Sequence, residues 1–296
     1  MFWLPTVAFS YQNLLGSVPF AFSKGELVAQ VRISGKGPFT VLLDTGTAPS
    51  IIDLSLARQL GIKTESTGQS GTGGGSGKSQ FYIANLPWLE LNGWTLNNMS
   101  SLAMDLSSLG QKLGRHLDGV LGDSVFDGRV VQFDYPGTVA RFFRKSPNLS
   151  GVKFHFVHSS NEIHLEGVRV NGRQISANLD TGSNTAFQLT PRGLRKLHLN
   201  GSASHARIKQ AAGFNGAYQS RSGKVTSVDL GPIHLSQPRA TFWLSGTGHD
   251  DSEFDVNIGN DFLRTYVVTI DYVEHVVTLT KNASVAAPKT GQRVRN

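Results

Sequence analysis

The stretch 31-VRISGKGPFTVLLDTGT-47 decides the fold, because the chain repeats it as 168-VRVNGRQISANLDTGS-183. Val31, Arg32 and Gly35 correspond to Val168, Arg169 and Gly172 at an offset of 137. After a one-residue deletion, Asp44-Thr45-Gly46 corresponds to Asp180-Thr181-Gly182 at an offset of 136. Farther on, 119-GVLGDSVFDGRVVQFDY-135 is answered by 256-VNIGNDFLRTYVVTIDY-272, with Gly122 on Gly259 and Asp134-Tyr135 on Asp271-Tyr272. The parts come in the same order both times, which is the mark of a duplicated domain.

The local patterns are those of strands. Leu27, Ala29, Val31 and Ile33 alternate with other positions at the period of two that a half-buried strand shows. Gly35-Lys36-Gly37 and Asn171-Gly172 are expected as hairpin turns, and SVPFAF at 17–22 as a strand. Asp53 is placed to cap a helix over 54–60 that ends at Gly61. Thr190, followed by Pro191, is placed to start its partner over 191–197. The predicted architecture is all-β, two similar barrel-like lobes with short helices related by pseudo-two-fold symmetry. The expected divisions are an N-terminal segment at 1–16, lobes at 17–150 and 151–280, and a basic tail at 281–296.

Composition agrees with that outline and excludes several functions. With 296 residues, 33 glycines and 11 prolines, the chain has ample core for two β-rich lobes with many turns. No run approaches the ~20 apolar residues of a membrane-spanning helix. Cysteine is absent, which removes thiolate nucleophiles and cysteine metal sites. The net charge of +7 comes from scattered Lys and Arg, without the basic stripe interleaved with aromatics that nucleic acid requires. His155 and His158 fall on opposite faces of a strand and do not share a metal ion. The loop 248-GHDDSE-253 lacks a full calcium ligand set. The first 23 residues carry no charge, and four Asn-x-Ser patterns give a lean toward a secreted or extracytoplasmic setting.

Two aspartates at equivalent turns of a duplicated domain point to chemistry. A local two-fold axis would bring the turns face to face, and two adjacent carboxyls that cannot both ionise share one proton. Such a pair acts as base toward water while its protonated member donates to a carbonyl oxygen. Gly46 and Gly182 permit the tight turn, and Thr45 and Thr181 offer hydroxyls to brace one loop against the other. Thr47 and Ser183 each offer a further hydroxyl to the adjacent carboxylate.

With LLDTGT at 42–47, NLDTGS at 178–183, GVLGDSVF at 119–126 and IGNDFLRTYVVTIDYVEHVVTLT at 258–280, the chain resembles the pepsin and retropepsin clan of aspartic proteases over residues 17–280. The resemblance implies a single-chain, two-lobed endopeptidase with Asp44 and Asp180 catalytic. It also implies that Val120-Leu121-Gly122 and Ile258-Gly259 lie beneath the catalytic loops. No cofactor and no metal are implied. The expected partner is a polypeptide substrate, and the expected state is a monomer, since both motifs are on one chain. Weighed against this are a peptide-binding or sensory module that kept the cleft without turnover, and a hydrolase of something other than polypeptide.

The resemblance also accounts for the glycine-rich run 70-SGTGGGSGKS-79. As a phosphate loop it is one residue out of register, since Thr72 stands where glycine is needed, and no strand-to-helix context surrounds it. As a flap it fits, lying 26 to 33 residues beyond Asp44 at positions 70–77. Gly71, Thr72, Gly73, Gly74 and Gly75 are therefore expected over the substrate. Gly213 and Phe214, in AAGFNGAYQS, are expected as a second flap or its structural echo. Three departures from the family pattern stand out: Tyr82 lies too far along to be the flap tyrosine, Ala48-Pro49 follows Thr47, and Asn257 replaces an apolar residue.

Overall fold

The computed structural model describes residues 13–71, 79–159, 162–213, 216–246, 250 and 252–281. Most of the N-terminal segment, positions 72–78 of the first flap, Phe214 and the basic tail beyond Lys281 lie outside the described residues.

The fold is mostly strand, as expected from the alternating patterns. The first half runs β1 (Leu14–Ser23), β2 (Glu26–Ile33), β3 (Lys36–Leu43), β4 (Ser50–Asp53), α1 (Leu54–Gln59), β5 (Thr64–Gly71), β6 (Ser79–Leu91), β7 (Trp94–Met104), α2 (Ser107–Leu113), β8 (Gly119–Leu121), α3 (Asp123–Phe126), β9 (Val130–Asp134) and β10 (Val139–Phe143). The second half runs β11 (Val152–Ser159), β12 (Glu162–Leu165), β13 (Val168–Val170), β14 (Arg173–Gln174), β15 (Ala177–Leu179), β16 (Phe187–Leu189), α4 (Pro191–Lys196), α5 (Asn200–His205), β17 (Arg207–Gly213), β18 (Gly216–Lys224), β19 (Ser227–Leu230), β20 (Ile233–Ser236), β21 (Arg239–Trp243), β22 (Val256–Ile258), α6 (Asn260–Leu263), β23 (Tyr266–Asp271) and β24 (Val276–Lys281). No described helix is long and apolar enough to cross a membrane.

The start signals read from the sequence act as expected. Asp53 accepts from the Ser55 and Leu56 amides and starts α1. Thr190 accepts from the Gly193 amide, with Pro191 in the first helical position of α4. Asn171 and Gly172 both take positive φ in the turn between β13 and β14. The first-half turn sits one residue earlier than expected: Ser34 and Gly35 take positive φ, and Lys36 already belongs to β3.

Equivalent pieces of the two halves make equivalent pairings. β3 lies parallel to β8, which β4 flanks antiparallel; β15 lies parallel to β22, which β16 flanks antiparallel. The halves are joined by a sheet in the order β1-β10-β9-β23-β24-β11. At its centre the repeated segments pair with each other: Val131 faces Ile270, Phe133 faces Val268, and Gln132 faces Thr269. The pairing is reciprocal, as it must be when the same surface meets its own copy. Gln132 and Thr269, equivalent positions in the two repeats, are joined by a 3.1 Å hydrogen bond from the Gln132 amide. Beneath the sheets a continuous apolar core runs through both halves, and a second cluster around Leu42, Ile51 and Val120 lies under α2.

Candidate active site

Each Asp-Thr-Gly turn hangs from the end of a parallel strand pair. The Asp44 amide donates to the Leu121 carbonyl and the Asp180 amide to the Ile258 carbonyl, both at 2.9 Å. Val120-Leu121-Gly122 and Ile258-Gly259 thus lie under the loops, where the sequence placed them.

The two threonines lock the loops together. The Thr45 amide donates to Thr181 Oγ1, and the Thr181 amide donates to Thr45 Oγ1, both at 3.0 Å. In turn Thr45 Oγ1 donates to the Leu179 carbonyl at 3.0 Å and Thr181 Oγ1 to the Leu43 carbonyl at 2.9 Å. Both amides and both hydroxyls of the crossing are thereby satisfied in a place where Thr181 is fully buried. The crossing sets the two turns against each other, so that the Asp44 carboxyl packs on Gly182 and the Asp180 carboxyl on Gly46.

The close approach explains the glycines. A Cβ on Gly182 would sit 2.2 Å from Asp44 Cγ, and one on Gly46 would sit 2.8 Å from Asp180 Oδ1. Each glycine leaves room for the other half's carboxyl, and each also donates its amide to its own aspartate: Gly46 to Asp44 Oδ1 at 2.8 Å, and Gly182 to Asp180 Oδ1 at 2.7 Å.

The carboxyls are not equivalent. Burial raises both. Asp44 is relieved by donors from Thr47, Gly46, Asp180 and Gly182. Asp180 is raised much further, by burial first and then by the charge on Asp44, with Asn257 opposing the rise. The pair therefore loses its protons in two steps, the second held well above the ordinary carboxyl range by burial and by the charge already present.

The second residue of each pair of hydroxyls behaves differently from expectation. Thr47 Oγ1 donates to Asp44 Oδ2 at 2.7 Å, as the sequence implied. Ser183 does not mirror it: its hydroxyl donates to Gln188 Oε1 at 2.7 Å. The place beside Asp180 is taken by Asn257, whose amide donates to Asp180 Oδ2 at 2.6 Å and to Gln188 Oε1 at 3.1 Å. Behind Asn257 stands Asn178, donating to Asn257 Oδ1 at 2.9 Å. In the first half the matching positions are Val120, Ile51 and Leu42, all apolar. Asn257 broke the repeat pattern, and that departure was the available signal.

Two further residues escaped the sequence reading. Asn260 is fully buried and donates to the Gly25 carbonyl at 2.7 Å and the Thr181 carbonyl at 2.6 Å, while accepting from Tyr135 Oη at 2.6 Å. It pins the β1–β2 turn to the second catalytic loop. Gly25 there takes φ +87°, and a Cβ on it would sit 2.5 Å from Asn184 Cβ. The next residue, Glu26, is only 4% exposed and lines a cavity of about 180 Å³ together with Asp180, Gly182 and Ser183. An acid straight after a turn glycine reads as solvated, so nothing in the sequence marked it. Burial, followed by the charges of Asp44 and Asp180, pushes its carboxyl up to about 9.

Gly213 and Tyr218, from the β17–β18 hairpin, line the same cavity, together with Trp243 of β21. Burial raises the Tyr218 phenol to about 12, so it stays protonated. Tyr82 instead donates to Gln80 within its own strand. His155 is exposed, whereas His158, on the other face of β11, pairs with Asp123 of the first half at 3.2 Å. Two described groups hold three potential metal-ligand atoms each, Asp123 with Asp127 and His158, and Glu162 with His164 and Glu253. Neither includes a residue of the two Asp-Thr-Gly turns.

A family model described as aspartyl protease matches residues 29–125 and, again, 167–262. The chain belongs to the aspartyl protease family. The two matches together cover well over half of this aspartyl protease, and each contains one Asp-Thr-Gly turn. No match is found among curated proteins.

Proposed function

We propose that this aspartyl protease is a single-chain, two-lobed endopeptidase of the pepsin and retropepsin type, with lobes at 17–150 and 151–280, and that Asp44 and Asp180 are its catalytic pair. The observation that carries the reading is the reciprocal threonine crossing, which packs each turn's carboxyl against the glycine of the other. Ionised Asp44 takes a proton from water as the water oxygen attacks the substrate carbonyl carbon. Protonated Asp180 donates to the carbonyl oxygen, and the proton gained by Asp44 later passes to the leaving amine. No covalent intermediate forms. Thr45, Gly46, Thr181 and Gly182 hold the geometry, while Thr47 and Asn257 set the two acidities. The β17–β18 hairpin, carrying Gly213 and Tyr218, covers the substrate and limits water at the reaction. Because one chain supplies both aspartates, the working unit is a monomer.

The test is cleavage of a denatured protein by the wild type and by Asp44→Asn and Asp180→Asn. Both variants lose at least ~1,000-fold, as expected when a member of a concerted acid–base pair is removed. Full activity in either variant ends the proposal. A statine-type transition-state mimic binds the wild type and loses affinity for both variants. If it binds all three alike, with no turnover, the cleft is a peptide-binding module.

A further inference from the structure

We propose that the cavity beside Asp180 is a substrate subsite for a carboxylate of the bound peptide, an acidic side chain or the chain end, received between Lys112 of the first half and Lys209 of the second. The inference rests on the proteolytic reading and adds the substrate class.

The geometry comes first. The cavity, about 180 Å³, has the volume of roughly six waters, enough for one carboxylate side chain with some of its solvent. Asp180, Gly182 and Ser183 of the second catalytic turn line it, so a group projecting from a peptide at the catalytic pair reaches it. Lys112 and Lys209 line it from opposite halves, Lys112 from the last turn of α2 and Lys209 from β17, where those two elements meet. Among the described residues the wall is polar or glycine except at Ala211 and Trp243. Such a wall gives an apolar side chain little to bury against and offers a charged one hydrogen bonds.

The charges then choose the sign of the occupant. Five described lining residues titrate: Glu26, Lys112, Asp180, Lys209 and Tyr218. Burial, then the charges of Asp44 and Asp180, pushes Glu26 up to about 9, and burial raises Tyr218 to about 12. Burial, then the charge on Asp44, holds Asp180 well above the ordinary carboxyl range, and in the proposed mechanism it is protonated. At pH 6 these three are neutral, which leaves the two ammonium groups as the charges in the wall. Asp44, whose charge Glu26 and Asp180 feel, lies outside the lining. Lys112 is half-buried, and its pKa is lowered by burial first and also by repulsion from Lys209, against the attraction of Glu26. None of the ion pairs among the described residues involves Lys209. An anion between the two lysines relieves their repulsion, and a further cation adds to it. Lys209 is exposed and by itself contributes little, whereas the half-buried Lys112 makes a charge-assisted bond in a drier setting.

Two measurements test this. The first is kcat/KM at pH 6 for peptides with amidated ends that carry Glu, Gln, Leu or Lys at one position at a time. In the wild type one position prefers Glu, by roughly 10-fold or more over Gln, the scale of a hydrogen bond to a charged group. In Lys112→Met/Lys209→Met that Glu-to-Gln ratio falls by a similar factor. If instead a free C-terminus on the Gln peptide supplies the gain, and the double variant loses it, the same subsite reads the chain end. No gain from a carboxylate at any position or end, or a gain unchanged in the double variant, overturns the proposal. The second measurement needs no turnover: calorimetric binding to the wild type of statine-type peptides carrying Glu or Gln at each position in turn. The advantage of Glu appears as its side chain ionises through about pH 4.3 and shrinks with added salt. An advantage that is flat with pH and salt overturns the proposal. The advantage without cleavage of any peptide rejects the proteolytic reading and leaves the subsite standing, and cleavage without the advantage does the reverse.

Discussion

Replacing Asn257 by valine, the residue at the matching position 120, separates the two acidities of the catalytic pair. The substitution removes the 2.6 Å hydrogen bond to Asp180 Oδ2 and strands the Asn178 amide that had donated to Asn257. A hydrogen bond to a charged acceptor contributes about 1.5–3 kcal/mol. At 1.36 kcal/mol per pH unit, its loss moves the pH at which Asp180 ionises upward by ~1–2. The sign follows from the bond favouring the ionised form, so removing it makes Asp180 harder to ionise. In the proposed mechanism Asp44 is the ionised member, so Asp180 governs the alkaline limb of the bell-shaped kcat/KM profile. That limb moves upward by ~1–2 pH units in Asn257→Val, while the acid limb moves much less. Thr47→Val, which removes the donor to Asp44 Oδ2, moves the acid limb upward instead. The assay is hydrolysis of a neutral fluorogenic peptide from pH 2 to 10. A shift of the acid limb alone in Asn257→Val, or no shift, refutes the assignment of roles. The same variant loses ~1–3 kcal/mol of stability from the stranded Asn178 amide. Asn178→Leu/Asn257→Val, which copies Leu42 and Val120, recovers part of that stability and none of the pH profile.

Three other outcomes are expected. Thr181→Val strands the buried Leu43 carbonyl and Thr45 amide and costs ~2–5 kcal/mol in chemical denaturation, whereas Thr181→Ser restores most of it. Gly182→Ala, whose Cβ would lie 2.2 Å from Asp44 Cγ, loses more turnover than Gly46→Ala, where the nearest atom is Asp180 Oδ1 at 2.8 Å; steady-state rates rank the two. For Glu26 the folded-state pKa is raised, so its contribution to stability is complete below the unfolded value of 4.5 and is lost as pH rises toward about 9. Thermal unfolding of the wild type therefore weakens by roughly 3 kcal/mol between pH 4.5 and 7 relative to Glu26→Gln. Parallel melting curves for the two proteins across that range contradict the burial of this acid.

The all-β fold, the duplicated turns and the helix starts at Asp53 and Thr190 were legible from the chain because they depend on local rules and repetition. Side-chain alternation, capping oxygens and proline at a first helical position act within a few residues of themselves. The repeat singles out Asp44 and Asp180 as equivalent positions. It also predicted equivalent roles for Thr47 and Ser183, and there symmetry misled. Asn178, Gln188 and Asn257 replace three apolar residues, and a buried amide competes for the Ser183 hydroxyl, which a local reading cannot see. Glu26 was invisible for a related reason: the sequence shows a turn followed by an acid, whereas only the packing of one half against the other takes that acid out of water.

The amino-acid order by itself determined that this protein is two copies of one β-rich plan, each offering an aspartate on a glycine turn. Only the tertiary structure decided how far burial raises the pair, which side chain donates to each carboxyl, and that a third carboxyl lies nearby. Those properties are set by desolvation and by hydrogen bonds between residues 77 to 235 positions apart, and neither exists until the halves meet.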